Sequence, residues 1–142
     1  MHSCYGVIVK YNTREVERME FDDKVPIYYQ IKTYLYHEMI IGQLAPGDKL
    51  PAVRQLAVDL TVNVNTVQRA LGEMITEGII ESKRGKGNFV TMDEQRITHL
   101  KEQLVMEQLE RVYEQLHALN LTDEEIIASL KRYIAQRGQQ HD

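Results

Sequence analysis

Asn63, Asn65, Thr66, Gln68 and Arg69 crowd into one short stretch, NVNTVQR, at the head of an amphipathic run. These side chains recognise rather than react. Asn and Gln amides place a donor beside an acceptor and match the adenine edge, the Arg fork matches guanine, and Thr suits a phosphate or a thymine methyl. Asn65, Thr66, Gln68 and Arg69 avoid the apolar positions Val67, Ala70, Leu71, Met74 and Ile75. Farther along, Lys83, Arg84 and Lys86 alternate with Gly85 and Gly87 in KRGKG, and Ser82–Val90 holds three cations and no anion. Such cations suit phosphates or a minor groove, and the glycines let backbone come close.

Each residue also has a structural reading. Asn63 is first of all a helix N-cap, its side chain accepting from an N–H two or three residues on. Arg69 stands four residues before Glu73, where a surface ion pair contributes only about 0.3–0.5 kcal/mol and is compatible with a nucleic-acid contact. Arg54 has Asp59 within reach on the same short helix. KRGKG taken alone is as readily a solvated turn.

The chain offers little for bond-making chemistry. No nucleophile–base pair, phosphate loop or metal set stands out, so neither an enzyme nor a cofactor is expected. His37, His99 and His117 lack a partner at i+3 or i+4 and a nearby ligand cluster. On one helix His99 and His117 would lie roughly 27 Å apart, too far to share an ion. The single cysteine, Cys4, forms no internal disulfide, which points to a reducing, cytoplasmic setting. No apolar run approaches the roughly 20 residues of a membrane span, and the N-terminus lacks the pattern of a signal peptide. No membrane partner is expected.

The charge is unevenly distributed. Formal net charge is −4 over 142 residues. Met1–Asp48 carries 5 Lys/Arg and 7 Asp/Glu, Lys49–Val90 carries 6 and 4, and Thr91–Asp142 carries 6 and 10. Only the middle segment is net basic, and local potential decides where a polyanion binds.

Several elements must position these groups. Residues 1–18 read as a mobile extension or an upstream-start artefact, since Met19 reads like a natural start, with YGVIVKY a possible strand. Pro26 suits a helix start, and Ile27, Ile31, Leu35 and Met39 share one face of a helix ending near Gly42. LAPGDKLP reads as a Pro/Gly turn. Val53, Leu56, Ala57 and Leu60 face the core from a short helix, TVNV breaks it, and the next helix runs from its Asn63 cap to Gly78. GIIESKRGKGNFVTM reads as two strands joined at Arg84–Gly87. Beyond Asp93, apolar residues at spacings of three to five predict a long charged helix. LNLTDEE breaks it, Thr122 and Glu125 form a capping box, and a second helix follows, with RGQQHD expected to fray. Two helices alone make a poor core. Leu100, Leu104, Leu109, Val112, Leu116, Ile127, Leu130 and Ile134 are therefore expected to pair with a second copy of the chain. The fold class is mainly α with a small β-wing: a winged helix-turn-helix over residues 19–92 and a helical hairpin over 93–142.

The elements L-x-P-G-D-x-L-P, V-R-x-L-A, V-N-x-N-T-V-Q-R-A, E-G-I-I and R-G-x-G-x-F-V occur in this order from Val25 to Val90. Together they closely resemble the DNA-binding domain of the GntR family of bacterial transcription regulators. The resemblance implies a homodimer on a near-palindromic double-stranded operator. Arg54 then lies at the DNA at the start of the second helix, Asn63, Asn65, Thr66, Gln68 and Arg69 match the recognition helix, and Lys83, Arg84, Gly85, Lys86 and Gly87 match the wing. Many members carry a basic residue where Gln68 stands, so base preference does not carry over there. Thr91–Asp142 is too short for the family's larger effector or aminotransferase-like domains. It resembles the tail of the YtrA-type branch, which implies a repressor of an ABC-transporter operon, and any small-molecule effector is unidentified. The competing reading is a winged helix that binds protein through its C-terminal helices.

Overall fold

Pro26 sets where the first helix begins. Its carbonyl accepts from the N–H groups of Tyr29 (3.1 Å) and Gln30 (3.2 Å), while its ring needs no donor of its own. The computed structural model describes residues 23–140, so the expectations for residues 1–18 and Cys4 lie outside the described residues. Five helices and one hairpin follow in order: α1 Ile27–Ile40, α2 Val53–Leu60, α3 Val64–Thr76, β1 Ile80–Lys83, β2 Gly87–Val90, α4 Glu94–His117 and α5 Asp123–Gln140. This is the mainly helical fold with a two-stranded wing that the sequence predicts.

The core of the first compact unit, which runs through Leu100, is drawn from α1, α2, α3 and the hairpin. Ile31, Leu35, Met39, Leu56, Ala57, Leu60, Val67, Ala70, Leu71, Met74, Ile80 and Val90 are buried. Two residues depart from their expected faces. Ile27 stays 44% exposed and Ile75 37% exposed. Ile27 lies in the first turn of α1, before the helix reaches the core. Ile75 follows Met74 by one position, which turns it about 100° around the helix.

The α2–α3 turn has a clear local cause. Thr61 closes α2 in the left-handed conformation (φ 55°), and the Val62 N–H returns to the Ala57 carbonyl at 2.9 Å. Asn63 then caps α3, its side-chain oxygen accepting from the Asn65 N–H at 2.8 Å. At the other end Gly78 (φ 77°) reverses the chain. Its N–H donates to the Ile75 carbonyl at 3.0 Å, and the Ile79 N–H to the Met74 carbonyl at 3.0 Å, the paired closure of a Schellman motif.

The LAPGDKLP segment does more than turn. Asp48 N–H donates to the Ala45 carbonyl at 3.0 Å, and the Asp48 carboxylate accepts from the Ala45 N–H at 2.9 Å. Gly47 supplies the positive φ of 84° that the third position of a type II turn requires. The chain then runs along β2: Leu50 N–H donates to the Asn88 carbonyl and Val90 N–H to the Asp48 carbonyl, both at 2.8 Å. Lys49 pairs with Phe89 as an antiparallel bridge. The hairpin thus gains a third, short edge that covers the outer side of β2.

α1 and α3 are also joined by charge. Lys32 is only 8% exposed. Its ammonium donates to Glu77 and lies 3.5 Å from the Glu73 carboxylate. The Tyr36 hydroxyl donates to the other Glu77 oxygen. Burial first, and the Glu77 hydrogen bond second, push the Tyr36 phenol far above its ordinary range, which keeps it a neutral donor at any ordinary pH. A buried ammonium is tolerated only with such partners.

In the second unit, from Lys101 onward, Asn120 (φ 64°) makes the break after α4. The Thr122 hydroxyl accepts from the Glu125 N–H at 3.2 Å and donates to the Glu125 carboxylate at 3.2 Å. The expected capping pair is therefore present, with Glu125 returning to the hydroxyl rather than to the backbone. α5 continues through Gly138 to Gln140, so Arg137–Gln140 is helical where fraying was expected.

Candidate nucleic-acid interface

α3 presents two opposed faces. Val67, Ala70, Leu71 and Met74 are buried on one side, while Asn65, Gln68 and Arg69 are exposed on the other and Thr66 is half-buried beside them. Asn63 is exposed, but its side-chain oxygen is committed to the cap. The exposed amides and guanidinium therefore stand at the N-terminal end of a helix whose inner face is fixed by packing. A helix in this pose can lay its first turns against base edges in a major groove.

Arg69 does not take the ion pair with Glu73 that the sequence leaves open. Glu73 turns to Lys32 instead. The Arg69 guanidinium lies over the Tyr28 ring, 3.8 Å from its centroid. Likewise, Asp59 accepts from Gln55 at 2.7 Å, and Arg54 is exposed in the first turn of α2.

The wing tip is a three-residue connection, Arg84–Lys86, between the paired residues Lys83 and Gly87. Lys86 N–H closes it onto the Lys83 carbonyl at 2.9 Å. Gly85 (φ 74°) and Gly87 (φ 114°) occupy backbone conformations that L side chains rarely adopt. Lys83, Arg84, Gly85, Lys86 and Gly87 are all exposed. Ile80 and Val90 point inward, so the alternate row faces out. The Lys83 ammonium sits 4.6 Å from the Phe89 ring centroid.

Two neighbours of this surface were not singled out from the sequence. Lys49 joins the outer row through its bridge to Phe89, and its side chain passes within 3.0 Å of where a Cβ on Gly87 would stand. It adds a cation to the wing from a segment almost forty residues away. Tyr28 reaches Arg69 from the first turn of α1. The only sequence signal for either was residue type, a lysine in a Pro/Gly turn and a tyrosine beside a core position.

The residues expected to dimerise divide. Leu100 is 7% exposed within its own chain and belongs to the first unit. Leu104 and Leu116 are half-buried. Leu109, Val112, Ile127, Leu130 and Ile134 are 47–61% exposed. No residue of α5 is buried. Among the described residues no group of three or more His, Cys, Asp or Glu could hold a metal ion, and no helix is long and apolar enough to cross a membrane. The His117 ring stacks on Tyr113 at 5.6 Å.

Residues 27–90 match the family described as bacterial regulatory proteins, gntR family. The chain is 39% identical over 114 residues to the uncharacterized HTH-type transcriptional regulator YhcF of Bacillus subtilis, covering 80% of this chain and 94% of that protein. It is 44% identical over 85 residues to the HTH-type transcriptional repressor YtrA of the same organism, covering 56% of this chain and 65% of that one. Among solved structures, a GntR family transcriptional regulator from Listeria monocytogenes superposes with a TM-score of 0.74 at 39% identity, over 79% of this chain and 98% of that chain. A transcriptional regulator from Oenococcus oeni superposes with a TM-score of 0.69 at 25% identity, over 83% and 98% of the two chains. These relatives are regulators rather than enzymes, and with the helix-turn-helix and wing in place the chain belongs to the GntR family of bacterial DNA-binding transcription regulators.

Proposed function

We propose that the protein is a cytoplasmic, homodimeric repressor that binds a near-palindromic operator, in the manner of the YtrA-type branch, and controls an ABC-transporter operon. The observation that carries the DNA reading is the pairing of faces on α3: Asn65, Gln68 and Arg69 exposed, with Val67, Ala70 and Met74 buried directly behind them. The basic wing supports it from one side. In this reading α3 enters the major groove, Asn65, Gln68 and Arg69 meet base edges, and Thr66, Arg54 and the wing residues Lys83–Gly87 meet backbone. Similarity to the YtrA repressor supports repression, and the transporter target is what the resemblance to the YtrA-type branch implies. The exposed apolar residues of α4 and α5 support pairing with a second copy.

The test is selection of tight-binding duplexes from a random pool, followed by anisotropy titration of the enriched sequence and a scrambled one across a salt series. An enriched near-palindrome preferred about a hundredfold or more agrees with the reading. Failure of any sequence to enrich over the pool contradicts it.

A further inference from the structure

We infer that Tyr28 is a positioning residue for DNA reading, a flat support that holds the Arg69 guanidinium ready to meet a base edge. The inference rests on the proposed reading of α3 and assigns a role to a residue outside it.

The geometry is specific. Tyr28 lies in the first turn of α1, Arg69 in the exposed row of α3, and the guanidinium carbon is 3.8 Å from the ring centroid. At that distance the cation sits on the face of the ring, where the quadrupole attracts it. A guanidinium carries all five N–H donors in its own plane, pointing outward. Stacking on the ring uses the face of that plane and none of its edge donors. The fork remains available for a bidentate contact while its swing is restricted. An arginine held this way has less rotamer freedom to lose when it pairs.

The support is itself anchored. Ile31, one turn along from Tyr28, is fully buried. α1 is tied to the far end of α3 through Lys32, Tyr36 and Glu77. The Tyr28 ring therefore stands in a fixed relation to the reading face. Glu73, the carboxylate on α3 nearest in sequence to Arg69, is turned to Lys32 and leaves the guanidinium to the ring.

The test uses the full chain, the duplex enriched by selection and its scrambled counterpart. Tyr28→Leu removes the aromatic face and Tyr28→Phe retains it; thermal melting verifies that both fold. Expected for Tyr28→Leu is a two- to fivefold loss of affinity for the enriched duplex, the size of one exposed cation–π contact (about 0.5–1 kcal/mol). The scrambled duplex should change little, and Tyr28→Phe should stay close to wild type. In an Arg69→Ala background Tyr28→Leu should have no further effect, because the two act as one unit. Equal weakening on both duplexes, an additive double variant, or tighter binding by Tyr28→Leu each overturns the inference; the last would mean that the ring holds Arg69 away from DNA. Wild-type protein that fails to discriminate at all sinks the proposed function instead, whereas loss of discrimination in Arg69→Ala but not in Tyr28→Leu sinks the Tyr28 role alone.

Discussion

The Asn63 side-chain oxygen accepts a hydrogen bond from the Asn65 backbone N–H at 2.8 Å. That bond starts the helix that carries the other candidate reading residues. Asn63→Ala should destabilise the fold by about 1 kcal/mol, the usual cost of a lost cap, while Asn63→Asp or Asn63→Ser should recover most of it. Denaturant midpoints of the three variants decide the matter. An Asn63→Ala protein as stable as wild type but unable to bind DNA would assign Asn63 to reading instead.

Glu77 serves two donors of α1, Lys32 and Tyr36. Glu77→Ala leaves Lys32 with Glu73 alone and should cost about 2 kcal/mol, since hydrogen bonds to charged groups outweigh neutral ones. Adding Lys32→Met should return part of that loss by removing the buried charge. Urea unfolding of the single and double variants measures both. Strict additivity would show that the two side chains are not coupled in the folded protein.

Arg84 is exposed at the wing tip, between the paired residues Lys83 and Gly87. Arg84→Ala should weaken binding to enriched and scrambled duplexes alike and lower the salt slope by about 0.9, the contribution of one neutralised phosphate. Anisotropy titrations at several salt concentrations give the slope. Loss confined to the enriched duplex would mean that Arg84 reads sequence.

Leu109 and Leu130 are 47% and 50% exposed on the helices proposed to pair. The double variant Leu109→Glu, Leu130→Glu should shift sedimentation from the mass of two chains to that of one, because two charges would be buried without partners. DNA affinity should fall with it, as each half-site is then bound alone. Wild-type protein that sediments as a single chain at concentrations that saturate DNA would remove dimerisation from the proposal.

His37 is half-buried, and desolvation holds its imidazole below the ordinary value of 6.5. The unfolded chain takes up this proton more readily than the folded one. Its contribution to stability is therefore present above 6.5 and lost as pH falls through the lower folded value. Its neighbour Glu38 is shifted the other way, raised by burial. That contribution is present below 4.5 and lost as pH rises through the raised folded value. Melting temperatures at about pH 7.5 and 5.5 should fall more for wild type than for His37→Gln, which keeps Glu38 and removes only the histidine titration. Equal shifts would count against it.

The sequence predicts best where the cause is local. Asn63 as a cap, Gly78 as a stop and the KRGKG turn between the two strands act within a few residues of themselves; the structure has Asn63 capping α3, Gly78 reversing the chain after it, and Gly85 and Gly87 at positive φ in the turn. The alternating burial of α3 was legible for the same reason, except at its margin, where Ile75 turned out part-exposed. Leu100 kept the spacing of the long helix, yet it is buried with the first unit rather than left on the free face. Periodicity gives the face of a residue but not what covers it.

Sequence by itself therefore determined the element order, the winged helix-turn-helix and the candidate reading residues, because capping, turn chemistry and apolar spacing are short-range. Tertiary structure alone decided which side chains those residues meet. Lys49 joins Phe89 across forty positions, Tyr28 reaches Arg69 across forty-one, and Lys32 finds Glu77 across forty-five. Each contact requires the chain to be closed into its fold, and at such separations residue type says that a partner is needed without saying which one it is.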